Sequence, residues 1–517
     1  MVSRLNDEII VCRGGKVSNV GALLQGGAMT GTATILQNYE PAVEGGYRRI
    51  DGFAKWDSTV VPGQGAILGV KVSAGLGEVF AARKSVAGTE VDLYRGSGSG
   101  WTKLNSVGQN STATKYRIIS YSITTPVVVF CDGKGYALKW NGSTDTLLNG
   151  TGAPTNPKYA AQHLARLWLS GYGTGSLITG SAPNDDTNYS GAADAVEFNV
   201  GDVVVGLKKF RDTLYIFCKN SIYKLAGTTI DDLMVVPVTT QIGCVSGDTI
   251  AEVGGDLVFL SGEGIRSLAA TERIGDLELG ILSKAIQPEL RVITNAAEYG
   301  EDSYCSCVVA AKSQYRLFLY DSDLGDNDAL GWLGKRVSEE GTGAVGFEWA
   351  NIAGFNTYCA DSEYVSNREI VLHGHPTTGY VYRQERGNSR DGSNIVANYR
   401  TPDLIFTNAE LRKVMHWIRL YTQVEGDLDL DCQVLFDFED EDKEQPAVIE
   451  IVQSGEVSQY GTAVYDTSVY SSTSFPVFRK NLTGSGLVAA FQFSSSGTAA
   501  SHRIDSIQVV FAAKGRR

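Results

Sequence analysis

Seven times along this chain a short apolar run meets a turn of Gly, Asn, Ser or Asp and returns as a second, alternating run. The clearest copies are LYIFCKNSIYKL (Leu214 to Leu225), LVFLSGEGIRSL (Leu257 to Leu268), VVVFCDGKGYALKW (Val127 to Trp140) and IVLHGHPTTGYVYR (Ile370 to Arg383). Looser copies begin at Val79, Leu167 and Leu317, so the first strands follow one another at intervals of 40 to 60 residues. A hairpin repeat of about that period is the sequence form of a β-propeller, because one hairpin pair cannot bury both its faces without a neighbouring blade. A run of unrelated hairpins in stacked sandwiches is the alternative. The 59 glycines, spread among short apolar runs, supply the many turns that either all-β form needs.

After NYRTPDL (Asn398 to Leu404) the texture changes to longer, closely alternating strands such as WIRLYTQVEGDLDLDCQVLFDFEDED and IDSIQVVFAAKG. The expected fold class is therefore all-β: a β-propeller of six to eight blades with an additional β-sandwich-like domain. The expected division is an N-terminal arm and propeller opening over residues 1–60, the propeller over 61–399 and the sandwich over 400–517. The arm shows only two clean strand signals, EIIVC and TATILQN. Two short stretches read as helices, Gly280 to Thr294 and Thr407 to Trp417.

With 517 residues, a net charge of −13 and a pI of about 5.0, the chain has the wrong sign for a general DNA-gripping surface. Any nucleic acid that it meets is one to repel or let slide. The acid-rich N-terminus lacks the apolar core of a signal peptide, so folding in a cytoplasm without a membrane anchor is expected. The eight cysteines fall mostly in apolar runs and read as buried free thiols; Cys305 and Cys307, two apart on a strand, face one side.

No phosphate loop, dinucleotide fingerprint, nucleophile elbow or HExxH is present. DSDLGDNDALG (Asp321 to Gly331) misses the calcium-loop template, with Gly325 a place early and Trp332 where a Glu belongs. His373 and His375 cannot close a zinc site alone and read as an ordinary polar turn. No catalytic residue, cofactor or metal is assigned, and an enzyme is not expected.

The strongest charge feature is EGDLDLDCQVLFDFEDEDKEQ (Glu425 to Gln445). Period two puts Asp427, Asp429 and Asp431 on one face of a strand and Leu428, Leu430 and Cys432 on the other. Asp437, Glu439 and Asp440 continue the run. A solvated outer face explains it; a surface that repels a passing polyanion is the functional alternative, which makes these six the candidate lining of a DNA conduit.

One block remains, EGGYRRIDGFAKWD (Glu44 to Asp57). Its glycines permit tight turns, its aromatics can wedge into a core or a neighbour, and its arginines can pair with acids of either. Within NYEPAVEGGYRRIDGFAKWD, this block resembles the opening segment of short-tailed bacteriophage tail proteins of the nozzle type (tail tubular B, or DNA-stabilisation, proteins). There a GGYRR..G....D stretch introduces the first blade. The C-terminal RTPDLIFTNAELRKVMHWIRLYTQVEG and AAFQFSSSGTAASHRIDSIQVVFAAKGRR resemble the closing domain of the same proteins. The resemblance implies a virion structural protein, present in the host cytoplasm during assembly and then in the tail. It implies a sixfold ring of itself, contacts with the tail adaptor (the head-to-tail connector) and with fibres or spikes, and DNA passing through without specific binding. Tyr47, Arg48, Arg49, Asp51 and Trp56 are then candidate subunit contacts. A receptor-binding or glycan-degrading tail propeller, and a cellular scaffold propeller, are the rival readings.

Overall fold

The computed structural model describes residues 5–106, 108–269, 280–338, 345–406, 408–453 and 476–514. Each of the seven hairpins seen in the sequence is the second and third strand of an up-and-down blade. Six blades are sheets of their own, and a seventh unit of the same form, Tyr304–Val309 to Val345–Ala353, is the first part of a nine-stranded sheet. Their innermost strands stand side by side around one axis, from Gln64–Ser73 through Arg117–Ser122, Tyr159–His163, Val204–Phe210, Ala251–Val253 and Tyr304–Val309 to Cys359–Val365 and back to Gln64–Ser73.

Burial on both faces explains why the second strands are continuously apolar. In Thr213–Cys218, Leu214, Ile216 and Cys218 pack toward the preceding blade while Tyr215 and Phe217 pack toward the following one. Pro126–Cys131 does the same, with Val128 and Phe130 on one side and Val129 and Cys131 on the other.

The ring is closed by a strand from far upstream. Phe53–Lys55 pairs antiparallel with Val381–Gln384 and is the outermost strand of the last blade.

The second module is a sandwich made from both ends of the chain. One sheet runs Tyr39–Pro41, Tyr47–Arg49, His502–Lys514, Arg412–Val424, Val477–Asn481, with Leu5–Val11 also paired to His502–Lys514. The facing sheet runs Ile35–Gln37, Ile395–Arg400, Ala489–Gly497, Leu428–Phe436, Ile449–Gln453, and continues the nine-stranded sheet of the propeller through one rung between Gln37 and Asn351. Ile10, Leu36, Tyr399, Ile418, Leu430 and Phe493 meet in its core.

The strand pairing departs from the expected division in two places. The strands Leu5–Val11, Ile35–Gln37, Tyr39–Pro41 and Tyr47–Arg49 are not an arm but belong to the sandwich, because Ile10, Leu36, Tyr39 and Tyr47 complete a core that the C-terminal strands leave open. The boundary falls before Ile395–Arg400 rather than at 400. The expected helix at Thr407 to Trp417 is also overturned: its second half begins the 13-residue strand Arg412–Val424, where burial of Lys413 and Met415 beside exposed His416 has the period of a sheet. The other expected helix is present in shortened form, as a 3₁₀ turn Lys284–Ile286 and a helix Gln287–Asn295 with a proline in its first turn. No helix among the described residues is long and apolar enough to cross a membrane.

Candidate functional site

The innermost strands enclose a funnel of about 920 Å³. Since these strands run the same way, Arg117, Tyr159 and Tyr304, which begin theirs, mark one end. That end is plugged by charge. The Arg117 guanidinium donates to Asp302 at 2.8 Å, Glu301 at 3.1 Å and Asp248 at 3.1 Å, and lies over the Tyr159 ring. Lys115 Nζ crosses to the Tyr304 and Asp302 carbonyls at 2.8 and 3.0 Å. Burial would raise the Asp302 carboxyl, but Arg117, then the Thr114 hydroxyl and Lys115, hold it at about 2. Groups buried and paired this way are costly to separate, so ion pairs close this end of the propeller axis.

Toward the other end, Lys71 Nζ is held by Asp361 and Glu363, each at 3.0 Å, and Asp361 also accepts the Val72 N–H at 2.8 Å. Lys208 enters the same space without a hydrogen bond or ion pair among the described residues; burial and then the charge of Lys71 lower its pKa. Cys305, Cys307 and Cys359 border the funnel, but burial pushes the Cys305 thiol up to about 12 and the other two up as well, so all three stay protonated and unreactive at neutral pH. Among the described residues no cluster of three or more His, Cys, Asp or Glu could hold a metal. His375 does hold a polar turn, its Nδ1 accepting the Thr377 and Thr378 N–H groups at 3.2 Å, whereas His373 belongs to the strand Arg368–Gly374 and is buried, stacked on Tyr382.

The Glu44–Asp57 block lies elsewhere, at the junction of the two modules. Tyr47 is fully buried; its hydroxyl accepts the Gly15 N–H and donates to the Gly31 carbonyl, at 3.0 and 2.9 Å. Arg49, 1% exposed, donates to the carbonyls of Ala499 (2.9 Å), Ile395 (3.3 Å) and Gly497. Arg48 bridges Glu425, Asp51 and Glu40. Asp51 and Glu40 both take Lys312 of the propeller, at 3.0 and 2.7 Å, and Glu40 accepts from Gln314 at 2.8 Å. Burial raises the Glu40 carboxyl, yet Lys312 and Arg316 outweigh it and leave the pKa below its usual range. Trp56 packs on Trp101 in the first blade. All five candidate subunit contacts thus have partners within the chain, and Tyr47 and Arg49 have no surface to offer a second copy.

The six candidate conduit acids divide into two groups. Asp437, Glu439 and Asp440 belong to a turn: Asp437 and Asp440 pair with Lys443, and Glu439 with Arg400. Asp427, Asp429 and Asp431 stand on the outward face of the sandwich, while Leu428, Leu430 and Cys432 face its core, in the alternation read from the sequence. None of the six borders the funnel. The funnel charges carry no sequence motif because they come from several places around the ring: Lys71, Arg117 and Lys208 from three strands, Asp361 and Glu363 from a fourth, and Asp248, Glu301 and Asp302 from turns. A lone charge in an otherwise uncharged strand, such as Arg117 in RIISYS, is a weak signal.

No family model and no curated protein matches the sequence. Among solved structures, the extracellular domain of the putative one component system BT4673 from B. thetaiotaomicron aligns over 66% of this chain at 9% identity and a TM-score of 0.40. The chain spans only 41% of that protein. BBS1N, solved in complex with ARL6DN, aligns over 65% of this chain and 98% of its own length, at 9% identity and a TM-score of 0.36. Kluyveromyces lactis Hsv2 aligns over 55% of this chain and 98% of its own, at 8% identity and a TM-score of 0.29. Likenesses of this degree carry no functional information. The chain is a mostly-β propeller protein with an added β-sandwich.

Proposed function

We propose that this chain is a virion structural protein, the subunit of the nozzle ring of a short phage tail, and that it works without catalysis. What supports the reading most is the GGYRRIDGF block. The segment that resembles the nozzle family is the one that joins the two modules here, with Tyr47–Arg49 in the sandwich and Phe53–Lys55 closing the propeller. A join of buried side chains and ion pairs suits a part that must hold its shape under the pressure of packaged DNA. The plugged axis adds that DNA would pass through the centre of a ring of copies and not through any one propeller. The tail adaptor and the fibres or spikes are the proposed neighbours, and the virion tail is the proposed location.

The outward carboxylates Asp429 and Asp431 have two places in such a ring, its lumen or the contact between neighbours. Light scattering of the purified chain, alone and with short-tail adaptor particles, followed by negative-stain imaging, tests the reading. A ring of about six copies with a central hole is expected, as closed cyclic assemblies are the rule. A monomer indifferent to the adaptor would overturn it.

The funnel supports a second reading, a receptor- or glycan-binding tail propeller, through Lys208 in its open part, which has no hydrogen bond or ion pair among the described residues. Saturable binding of host polysaccharide by the isolated chain, lost in Lys208→Ala, would favour it.

A further inference from the structure

Among the described residues, the two outward faces of the sandwich carry charge of opposite sign without ion-pair partners. On one sheet Arg419 and Arg479 lie directly opposite each other, and both guanidiniums sit over the ring of Trp417, at 5.2 and 4.5 Å. Arg419 reaches only the Gln508 amide oxygen, at 3.3 Å, and Arg479 has no hydrogen bond or ion pair among the described residues. On the other sheet Asp431 lies directly opposite Glu450, and Asp429 follows two residues before on the same face. None of these three acids has a hydrogen bond or ion pair among the described residues.

Like charges directly opposite across a sheet are destabilising. The chain carries one such pair on each outer face, and a surface of the other sign would relieve each. Apolar groups accompany both. Leu5, Ile9 and Val11 share the outward face with the arginines, Val452 sits opposite Asp429, and all four are more than half exposed. An arginine-and-aromatic patch of this kind is what interface centres favour.

We propose that these faces bind each other in successive copies of the chain: Trp417, Arg419 and Arg479 of one copy seat on Asp429, Asp431 and Glu450 of the next. Because the patches lie on opposite sides of one sandwich, the contact is head-to-tail, which generates a ring when the rotation closes and a filament when it does not. This rests on the ring reading above and assigns its surfaces. It places Asp429 and Asp431 between neighbours instead of in the lumen.

Two charge-reversed chains test it, Arg419→Glu with Arg479→Glu and Asp429→Lys with Asp431→Lys, each checked for an unchanged or raised melting temperature. Each alone should associate at least tenfold more weakly than the unmodified chain by light scattering, and the association of the unmodified chain should weaken with salt. Mixed in equal amounts they should reassemble, since one is acidic on both faces and the other basic on both, giving alternating assemblies with an even number of copies. If the unmodified chain assembles and either variant assembles equally well, the surfaces are wrong and the ring reading survives. Folded monomeric variants whose mixture stays monomeric would also overturn the assignment. An unmodified chain that stays monomeric at all concentrations and with the adaptor would remove both readings.

Discussion

Phe53 pairs across the sheet with Gln384, so a strand from the first sixty residues completes a blade whose other three strands end more than 300 residues later. The same short block supplies Tyr47 and Arg48, which pair with Ile504 and Arg503 in the sandwich. Four residues separate the two roles, and the turn between them ties the two modules together.

Gly52 occupies that turn, and a Cβ there would lie 1.9 Å from the Ser389 carbonyl oxygen. Gly52→Ala should destabilise the chain by about 1–3 kcal/mol in urea unfolding followed by tryptophan fluorescence. Gly135→Ala, where a Cβ meets nothing within 4 Å, should stay within about 0.5 kcal/mol. Equal effects at the two sites would mean that the junction does not depend on this close approach.

Arg49 satisfies three backbone carbonyls with one planar fork. Arg49→Lys keeps the charge but cannot reach all three, and should still cost about 1–3 kcal/mol because carbonyls are left unpaired in a dry site. A lysine variant as stable as the original would show that charge and not fork geometry holds the junction.

His502 is buried with its Nε2 2.7 Å from the Tyr39 hydroxyl. Burial, then Arg49 and Arg48, lower its pKa to about 3. The folded pKa lies below the unfolded value of about 6.5, so the unfolded chain takes up the proton first. Stability from this group is complete above pH 6.5 and is lost as pH falls toward 3, by about 1.4 kcal/mol per pH unit. Unfolding free energies from pH 7 to 4 should show this slope, and His502→Gln should reduce it. An unchanged slope in the variant would place the proton uptake elsewhere.

The eight cysteines are all buried, and burial pushes thiols such as Cys12, Cys244 and Cys432 up to about 12. A thiol-specific chromogenic disulfide should therefore label fewer than one group per folded chain and all eight after unfolding in guanidinium. Rapid labelling of the folded chain would contradict the burial of these side chains.

The propeller was legible because its second strands are squeezed between two blades. A strand such as Val127–Cys131 must be apolar on both faces, and five apolar residues before a Gly-rich turn stand out in any sequence. The innermost strands escaped notice because one side of each meets the polar funnel, as in RIISYS, and the closing strand Phe53–Lys55 because three residues carry no period. The Glu44–Asp57 block was visible as a concentration of unusual residues. Its partners were not: Glu425, Lys312 and Gly497 are hundreds of residues away, and no local pattern distinguishes a partner within the chain from one in a neighbour. The acidic strand shows the same limit. Its alternation fixed which side faced water, but the basic patch on Arg419 and Arg479 comes from two strands whose pairing no spacing reveals.

The strand His502–Lys514 lies inside its sheet, between Leu5–Val11 and Arg412–Val424. Leu5–Val11 therefore waits for a partner strand that is made long after it, and a chain broken off before His502 exposes the edges that this strand covers. Such edges invite aggregation and removal. The sandwich is thus closed late, by joining two stretches that flank the whole propeller.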